Sequence, residues 1–549
     1  MMSETWRQAR TVGDLLRSTA AKRGSHTALA FPGERLSYGQ LLEEALTVAR
    51  GLSALGVRPG DHVGVLMPNC PEFATALFGI GLLGCVFVPL NIRLQRDELR
   101  YVVMHSDIAA VLTTDRARDR LRLFEKLRES LPDLREARDA THVRTDSAPR
   151  LRLTANLGAG VEPGLLSKSD LKARAREVPS ERLKAITDGI DSNGAGAILY
   201  TSGTTAKPKG CVLSHRSLFQ SWILASERQG VGPDDVVYTP LPLFHGSASG
   251  NLVSTIASGA TFVSDVHFDA TRAVELIAGQ RATVLVLIFP HITRSVIEHP
   301  RFEAIDAGAV RVILAYVGTR SASEKVQLAF PGAALFSSFG LTESGPVTGS
   351  EPEDDLDARL RTCGRPLPGV QVAIADPHTG RLLEREQEGE ILVRSPALLL
   401  RYYKDSAATA KVLDESGFMH TGDHGLLDIH GRLVFKGRLK DMLKVGGENV
   451  APAEIEELLS THEAVNEAQV VGIPDDLMGE QIAAFVQLRP GASVTENDLI
   501  EYCRKRLARY KIPTHVRFVD EWPMSATKVQ KSELRNRLIE ELRQRGARG

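Results

Sequence analysis

Ala195-Gly-Ala-Ile-Leu-Tyr-Thr-Ser-Gly-Thr-Thr-Ala-Lys-Pro-Lys-Gly210 is a short apolar run followed at once by a loop of hydroxyls, glycine and lysine. The apolar half, residues 197–200, predicts a buried strand. In the loop the hydroxyls of Thr201, Ser202, Thr204 and Thr205 can donate to phosphate oxygens. Gly203 and Gly210 let the backbone bend inward, and Lys207 and Lys209 add positive charge. Such a loop suits a polyphosphate, and a nucleotide is the first candidate. The spacing is not G-x-x-x-x-G-K-[ST], so the strand–loop–helix of a P-loop nucleoside triphosphatase is disfavoured. An ordinary solvated loop of the same composition stays open at this point.

Outward from this segment, strand-like runs recur at residues 28–31, 63–67, 86–90, 109–113, 260–263, 284–288 and 310–314, with helix-like stretches between many of them. That alternation predicts layered, parallel α/β sheets. Residues 14–56 read as helix, strand and helix around the turn Pro32-Gly33. Residues 115–182, richer in charge, read as a surface helix plus a variable connection with no chemistry of its own. From about residue 364 to 436 the texture turns to short strands at 370–375, 389–394, 425–428 and 433–435, predicting a β-rich subdomain. A helix at 452–459, strands at 468–473 and 482–488, a helix at 496–507 and a lysine-rich tail then predict a small α+β domain. The expected division is a large domain over 1–438 and a small mobile one over 439–549.

A chain of 549 residues is too long for one core. Its formal net charge of −1 gives no electrostatic case for nucleic acid as a partner. Five cysteines, Cys70, Cys85, Cys211, Cys363 and Cys503, lack C-x-x-C spacing, which suggests neither disulfides nor a zinc site and fits a reducing cytoplasm. The first residues show no apolar core behind a basic head, and no segment offers the ~18 uncharged apolar residues of a membrane span. The most apolar stretch, 79–90, reads as a buried helix–strand segment. The expected location is therefore cytoplasmic.

Five further clusters follow in order. They are Pro242-Leu-Phe-His-Gly-Ser-Ala-Ser-Gly250, Ser338-Phe-Gly-Leu-Thr-Glu-Ser-Gly345, His420-Thr-Gly-Asp423, Gly437-Arg-Leu-Lys-Asp-Met-Leu-Lys-Val-Gly-Gly-Glu-Asn-Val450 and Pro523-Met-Ser-Ala-Thr-Lys-Val-Gln-Lys531. With the phosphate loop, this ordered set resembles the adenylate-forming superfamily of acyl-CoA synthetases, luciferases and peptide-synthetase adenylation domains. The resemblance runs from about Leu15 to Arg535. Taken singly, Phe339 reads as a core aromatic, Glu343 as a helix-start carboxylate, Asp423 as a turn residue and Arg438 as a surface arginine. It is the order of the motifs that gives them chemistry.

The resemblance implies an ATP-dependent ligase in which a hydrophobic carboxylate attacks the α-phosphate, giving acyl-AMP and pyrophosphate, and the thiol of CoA then takes the acyl group. Both steps concentrate negative charge, so cations, metal and oriented donors supply the catalysis. The loop at Thr201 to Gly210 would hold the β- and γ-phosphates. Glu343 would bind Mg²⁺, a hard cation suited to oxygen ligands, and Thr342 would lie beside the α-phosphate. Phe339, with Gly340 following it, would stack on adenine. Asp423 would accept both ribose hydroxyls and Arg438 would touch the same ribose. Lys528 would bridge carboxylate and α-phosphate during adenylation. Lys440 would be the hinge about which the small domain turns between half-reactions, and Lys444, Gly446 and Gly447 would face thioester formation. His245 would wall the acyl pocket; the absence of Asp from that motif disfavours an amino acid substrate.

The chain departs from the pattern in three places. Tyr316-Val-Gly-Thr319 replaces the usual Gly-Gly-Ala shelf, so Val317 and Gly318 line a reshaped wall. Arg401 precedes the pair Tyr402-Tyr403 where a glycine is common. No glycine precedes Lys528, which shortens that loop by up to about 3.5 Å and leaves Lys531 as an alternative reading of the motif. Alternatives are an adenylate former specialised for one half-reaction, one serving an acyl carrier protein, and a non-catalytic acyl-adenylate or nucleotide sensor. A homo-oligomer is compatible with all of them.

Overall fold

The protein is described by a computed structural model covering residues 4–135, 139–141, 143, 145–201, 208–315, 320–445, 448–475, 479–525 and 528–546. The chain divides into two compact units. The larger comprises residues 1–317, 326–372 and 393–419, and the smaller 318–325, 373–392 and 420–549.

Two seven-stranded sheets organise the larger unit. One runs Ala334–Phe336, Val312–Ala315, Val284–Ile288, Val236–Tyr238, Thr261–Val263, Thr27–Phe31 and Glu34–Ser37, parallel except for the last hairpin. The other runs Arg401–Tyr402, Lys209–Ser214, Ala195–Thr201, Val86–Pro89, His62–Leu66, Ile108–Thr113 and Leu153–Asn156. It is parallel from Ala195–Thr201 outward to Leu153–Asn156 and antiparallel at the two strands on the other side. Parallel strands are buried on both faces and read as continuous apolar runs, which is why Ile108–Thr113 and Val86–Pro89 are buried at every position. The apolar stretch 79–90 is the end of the fully buried helix Pro71–Leu83 and the strand after it.

The covering helices follow ordinary amphipathic logic. Arg96–His105 opens with a reciprocal cap between Gln95 and Glu98 and buries Leu99, Val102 and Val103, the i, i+3, i+4 set of one face. Residues 115–182 depart from their sequence reading. The strand Leu153–Asn156 forms the edge of the second sheet and is buried throughout, and Leu123, Leu127, Leu131, Leu134, Val143 and Leu151 join the core behind it. Exposed charges such as Arg118, Asp119, Arg120 and Arg122 stand beside these buried leucines and mask the buried periodicity.

In the smaller unit, a four-stranded sheet runs Gln371–Ala375, Gly389–Arg394, Met419–Leu427 and Leu433–Arg438. A second sheet joins Glu448–Val450, Leu443–Val445, Gly479–Leu488 and Val465–Asp475, with His515–Phe518 parallel to Gly479–Leu488. Helices Pro452–Ser460 and Glu496–Arg504 pack Ile455, Leu459, Leu499 and Cys503 onto it, while Lys531–Gly546 packs Leu534 and Leu538 against Ile473 and Phe485. All five cysteines are free thiols. Among the described residues, no helix is long and apolar enough to cross a membrane.

Candidate active site

The phosphate-loop segment begins and ends in paired strands. Ala195–Thr201 and Lys209–Ser214 are antiparallel, with Thr201 opposite Lys209 and Tyr200 opposite Gly210. The return element is a strand, so the strand–loop–helix arrangement that the non-Walker spacing disfavours is not the one formed here. Ser202, Gly203, Thr204, Thr205 and Lys207 lie outside the described residues. The base of the hairpin is held by aromatic side chains. Tyr101 donates to the Pro208 carbonyl at 3.3 Å, His105 Nδ1 lies 2.7 Å from the Tyr200 hydroxyl, and the Tyr403 amide donates to the Gly210 carbonyl at 2.7 Å. Burial holds the Tyr200 phenol well above its usual range, and burial with the neighbouring Asp107 carboxylate pushes Tyr403 up to about 12. Both remain hydroxyl donors at neutral pH.

Thr342 and Glu343 occupy the turn between the paired strands Gly340–Leu341 and Gly345–Pro346. Glu343 is thus a hairpin-turn residue and not the helix-start carboxylate of the residue-by-residue reading. Its side chain is half-buried, Oε1 accepts from the Tyr402 hydroxyl at 2.8 Å, and its carbonyl accepts from the Leu399 amide at 2.7 Å. Burial, then the Glu343 charge, raises the Tyr402 phenol far above its ordinary value, so it stays a donor to that carboxylate. The Lys209 ammonium stands 5.3 Å from the centroid of the Tyr402 ring, and Cys211 Sγ lies 3.8 Å from the Thr342 carbonyl. Strands from three sequence regions therefore place Thr201, Lys209, Thr342, Glu343 and Tyr402 in one neighbourhood. Phe339 is buried, while Gly340 beside it is exposed.

A single carboxylate ordered by a phenol suits Mg²⁺, which keeps waters and substrate phosphates as its other ligands and does not need an all-protein cage. Among the described residues, no group of three His, Cys, Asp or Glu forms such a cage.

His245 precedes the helix Gly246–Ser258, and its ring lies 4.7 Å from that of Phe244. The backbone leading to it is clamped by Asn69, which is buried, donates to the Leu241 carbonyl at 2.9 Å and accepts from the Leu243 amide at 2.7 Å. Trp222 packs this helix against the Glu343 turn. A Cβ added at Gly250 would lie 2.2 Å from the indole, and one at Gly345 would lie 3.3 Å from Nε1. The wall residues Val317 and Gly318, with Tyr316 and Thr319, lie outside the described residues.

In the smaller unit, Asp423 is 3% exposed and pairs in register with Arg438, whose Nε lies 3.3 Å from Oδ1. Gly422, immediately before it, has φ +68, a conformation that disfavours any side chain. Lys440 falls in the 3₁₀ turn Leu439–Asp441 and Lys444 in the strand Leu443–Val445. Lys528 opens a two-residue strand opposite Ser525. These three lysines are described by their backbone. Gly446 and Gly447, like Ala526 and Thr527, lie outside the described residues.

Asn69, Trp222 and Tyr402 are the site neighbours that sequence reasoning missed. Asn69 carried a signal, being a lone amide in the apolar run from residue 63 to 83. The Tyr402–Tyr403 pair carried one as well, but its contact with Glu343 spans 59 positions.

The family comparisons fit this geometry. Residues 16–403 match the AMP-binding enzyme family and residues 454–528 its C-terminal domain. The chain belongs to the AMP-binding enzymes, the adenylate-forming superfamily. It is 33% identical over 539 residues to a putative acyl-CoA synthetase, YngI, of Bacillus subtilis, covering 96% of this chain and 97% of that one. It is likewise 33% identical over 542 residues to a 3-[(3aS,4S,7aS)-7a-methyl-1,5-dioxo-octahydro-1H-inden-4-yl]propanoyl:CoA ligase of Rhodococcus jostii, covering 96% and 99%. Among solved structures it is similar to the anthranilate CoA ligase AuaEII in complex with anthranoyl-AMP, with a TM-score of 0.81 and 26% identity over 96% of each chain. The protein is an AMP-forming acid–thiol ligase that joins a carboxylic acid to CoA, and it uses ATP and Mg²⁺.

Proposed function

We propose that the acid is hydrophobic and carries no amino group, and that the residues above divide the work as follows. The support for the acid class is the segment Phe244–Gly250, which brings an imidazole and small side chains but no carboxylate to pair with an ammonium. The Rhodococcus relative acts on an alicyclic propanoate, an acid of this kind. Thr201, Lys209 and the rest of the loop hold the β- and γ-phosphates. Thr342 donates beside the α-phosphate, and Glu343, ordered by Tyr402, holds Mg²⁺. That ion, when bound, neutralises charge on the phosphates as pyrophosphate leaves. Phe339 and Gly340 border adenine, and Asp423 with Arg438 grips the ribose.

Lys528 bridges carboxylate and α-phosphate, a charge that develops only in the transition state. Supporting this reading over Lys531, the Lys531 ammonium is already engaged by Glu456 at 2.5 Å. The chain after Lys440 acts as the mobile domain, 439–549, with Lys444, Gly446 and Gly447 serving thioester formation. CoA is the acceptor in preference to a carrier protein, the compartment is the cytoplasm, and a homo-oligomer is compatible with this reading.

The test is a panel of alkanoic, alicyclic and aromatic acids assayed for pyrophosphate release with and without CoA. Release with hydrophobic acids, and its loss by orders of magnitude in Lys528→Ala with thiolysis of supplied acyl-AMP retained, is expected. Release with amino acids alone would overturn the acid class. Loss in Lys531→Ala but not in Lys528→Ala would move the adenylation lysine.

A further inference from the structure

We propose that Glu390 is a positioning residue for nucleotide recognition, acting through the strand segment that presents Asp423; the proposal rests on the reading of Asp423 as the ribose carboxylate. Glu390 lies in the strand Gly389–Arg394, and both of its oxygens point at the same four-residue segment of the neighbouring strand. Oε2 is 2.8 Å from His420 Nδ1, and Oε1 accepts from the Gly422 amide at 3.0 Å. One residue further on, the Ile391 carbonyl accepts from Thr421 Oγ1 at 2.7 Å, and that hydroxyl in turn accepts from the Asp423 amide at 3.0 Å. Residues 420–423 are therefore fastened to the adjacent strand through side chains on both sides.

The fastening falls where the backbone most needs it. Gly422 is in the left-handed region, a conformation that glycine reaches easily and also leaves easily, since its unfolded freedom is the largest of any residue. The Glu390 bond to its N–H selects that one conformation. Asp423 follows directly, with a nearly buried side chain facing the half-exposed Arg438. A carboxylate that must accept from two hydroxyls of one ring tolerates little rotation, because two bonds are made or lost together. Glu390 itself is 13% exposed, an environment in which a carboxylate is costly unless its oxygens are satisfied. A sheet needs no charge at this position, and the segment 420–422 uses both oxygens.

A nucleotide lacking a ribose hydroxyl separates positioning from mere folding. Pyrophosphate exchange is measured with ATP, 2′-deoxy-ATP and 3′-deoxy-ATP for the native enzyme, Glu390→Ala and Glu390→Gln. The native enzyme is expected to favour ATP in kcat/KM by at least about tenfold, the worth of one good hydrogen bond. Glu390→Ala should lose most of that preference, chiefly through a higher KM for ATP, while its activity with the deoxynucleotides changes by less than about threefold. Glu390→Gln keeps an acceptor for Gly422 but loses the carboxylate charge beside His420, and should lose about half of the preference on a logarithmic scale. Equal slowing with all three nucleotides, or an unchanged preference in both variants, overturns the proposal. If Glu390→Ala does not fold, the Gln variant alone decides by the same comparison. A native enzyme indifferent to the ribose hydroxyls would instead remove the reading of Asp423, and this proposal with it.

Discussion

Two carboxylates of this protein are held in opposite ways. Glu343, in the larger unit, is ordered by a neutral phenol, with Tyr402 donating one hydrogen bond to Oε1. Asp423, in the smaller unit, is almost wholly buried against a guanidinium. A neutral donor fixes a rotamer and leaves the charge to attract a cation. An arginine offsets much of the charge and leaves a well-placed acceptor, which is what a pair of hydroxyls needs. The immediate partner of each carboxylate thus suits the role proposed for it, a charge left to a cation at Glu343 and a neutral-ligand acceptor at Asp423.

The largest effect is expected at the metal side. Glu343→Gln keeps a group for Tyr402 and removes the charge, and should cut the adenylation kcat by about 10²–10³-fold, the usual cost of losing one transition-state electrostatic contact. Near-native exchange in this variant would show that the charge is not what the turn supplies, and the contrast would collapse. At the other carboxylate, Asp423→Asn keeps the shape and one acceptor, and should raise the KM for ATP by about 10–50-fold with a smaller change in kcat. A kcat defect equal to that of Glu343→Gln would show that both sites act on the reacting phosphates.

Tyr402→Phe sharpens the comparison further. It leaves the Glu343 charge intact but unordered, and should cost about tenfold, recovered in part by higher Mg²⁺ concentration. Mg²⁺ titrations of exchange rate distinguish this from simple loss of packing, which added metal would not repair.

The smallest effect concerns stability of the framework behind Glu343. Burial pushes His215, at the end of the loop hairpin, down to about 4 from the ordinary 6.5, so the folded state favours the neutral ring. The unfolded chain binds the proton first as pH falls. The contribution is therefore complete above about pH 6.5 and is lost progressively toward pH 4, amounting to on the order of 3 kcal/mol. Urea unfolding of wild type and His215→Gln at pH 7 and pH 5 should show a steeper decline for wild type. Parallel declines would mean that His215 is protonated in the folded state.

How much of this was readable in advance varies with distance along the chain. The Ala195–Thr201 strand and its non-Walker loop lie within short segments whose residue types carry their own physics, whereas the pairing of Asp423 with Arg438 did not show in the sequence. The return strand Lys209–Ser214 was less visible, because its apolar core is only Cys211, Val212 and Leu213 between a lysine-glycine start and a serine end. Leu153–Asn156 was hidden by the charged helices before it. Tyr402 against Glu343 and Glu390 against Gly422 are contacts created by strand order, and neither spacing nor composition encodes strand order directly.

The hairpin that carries the phosphate loop has a further consequence. Strands flank this loop on both sides, and strands have little net dipole, whereas a loop opening into a helix would lend its anion the positive end of a macrodipole. Of the described residues flanking the loop, the Lys209 ammonium, and no helix dipole, is the positive charge on the paired strands. Ammonium groups in such places are screened by mobile ions within about 10 Å at 0.1 M salt. If the loop holds the triphosphate as proposed, binding should weaken as ionic strength rises, and product pyrophosphate should leave more readily with added salt.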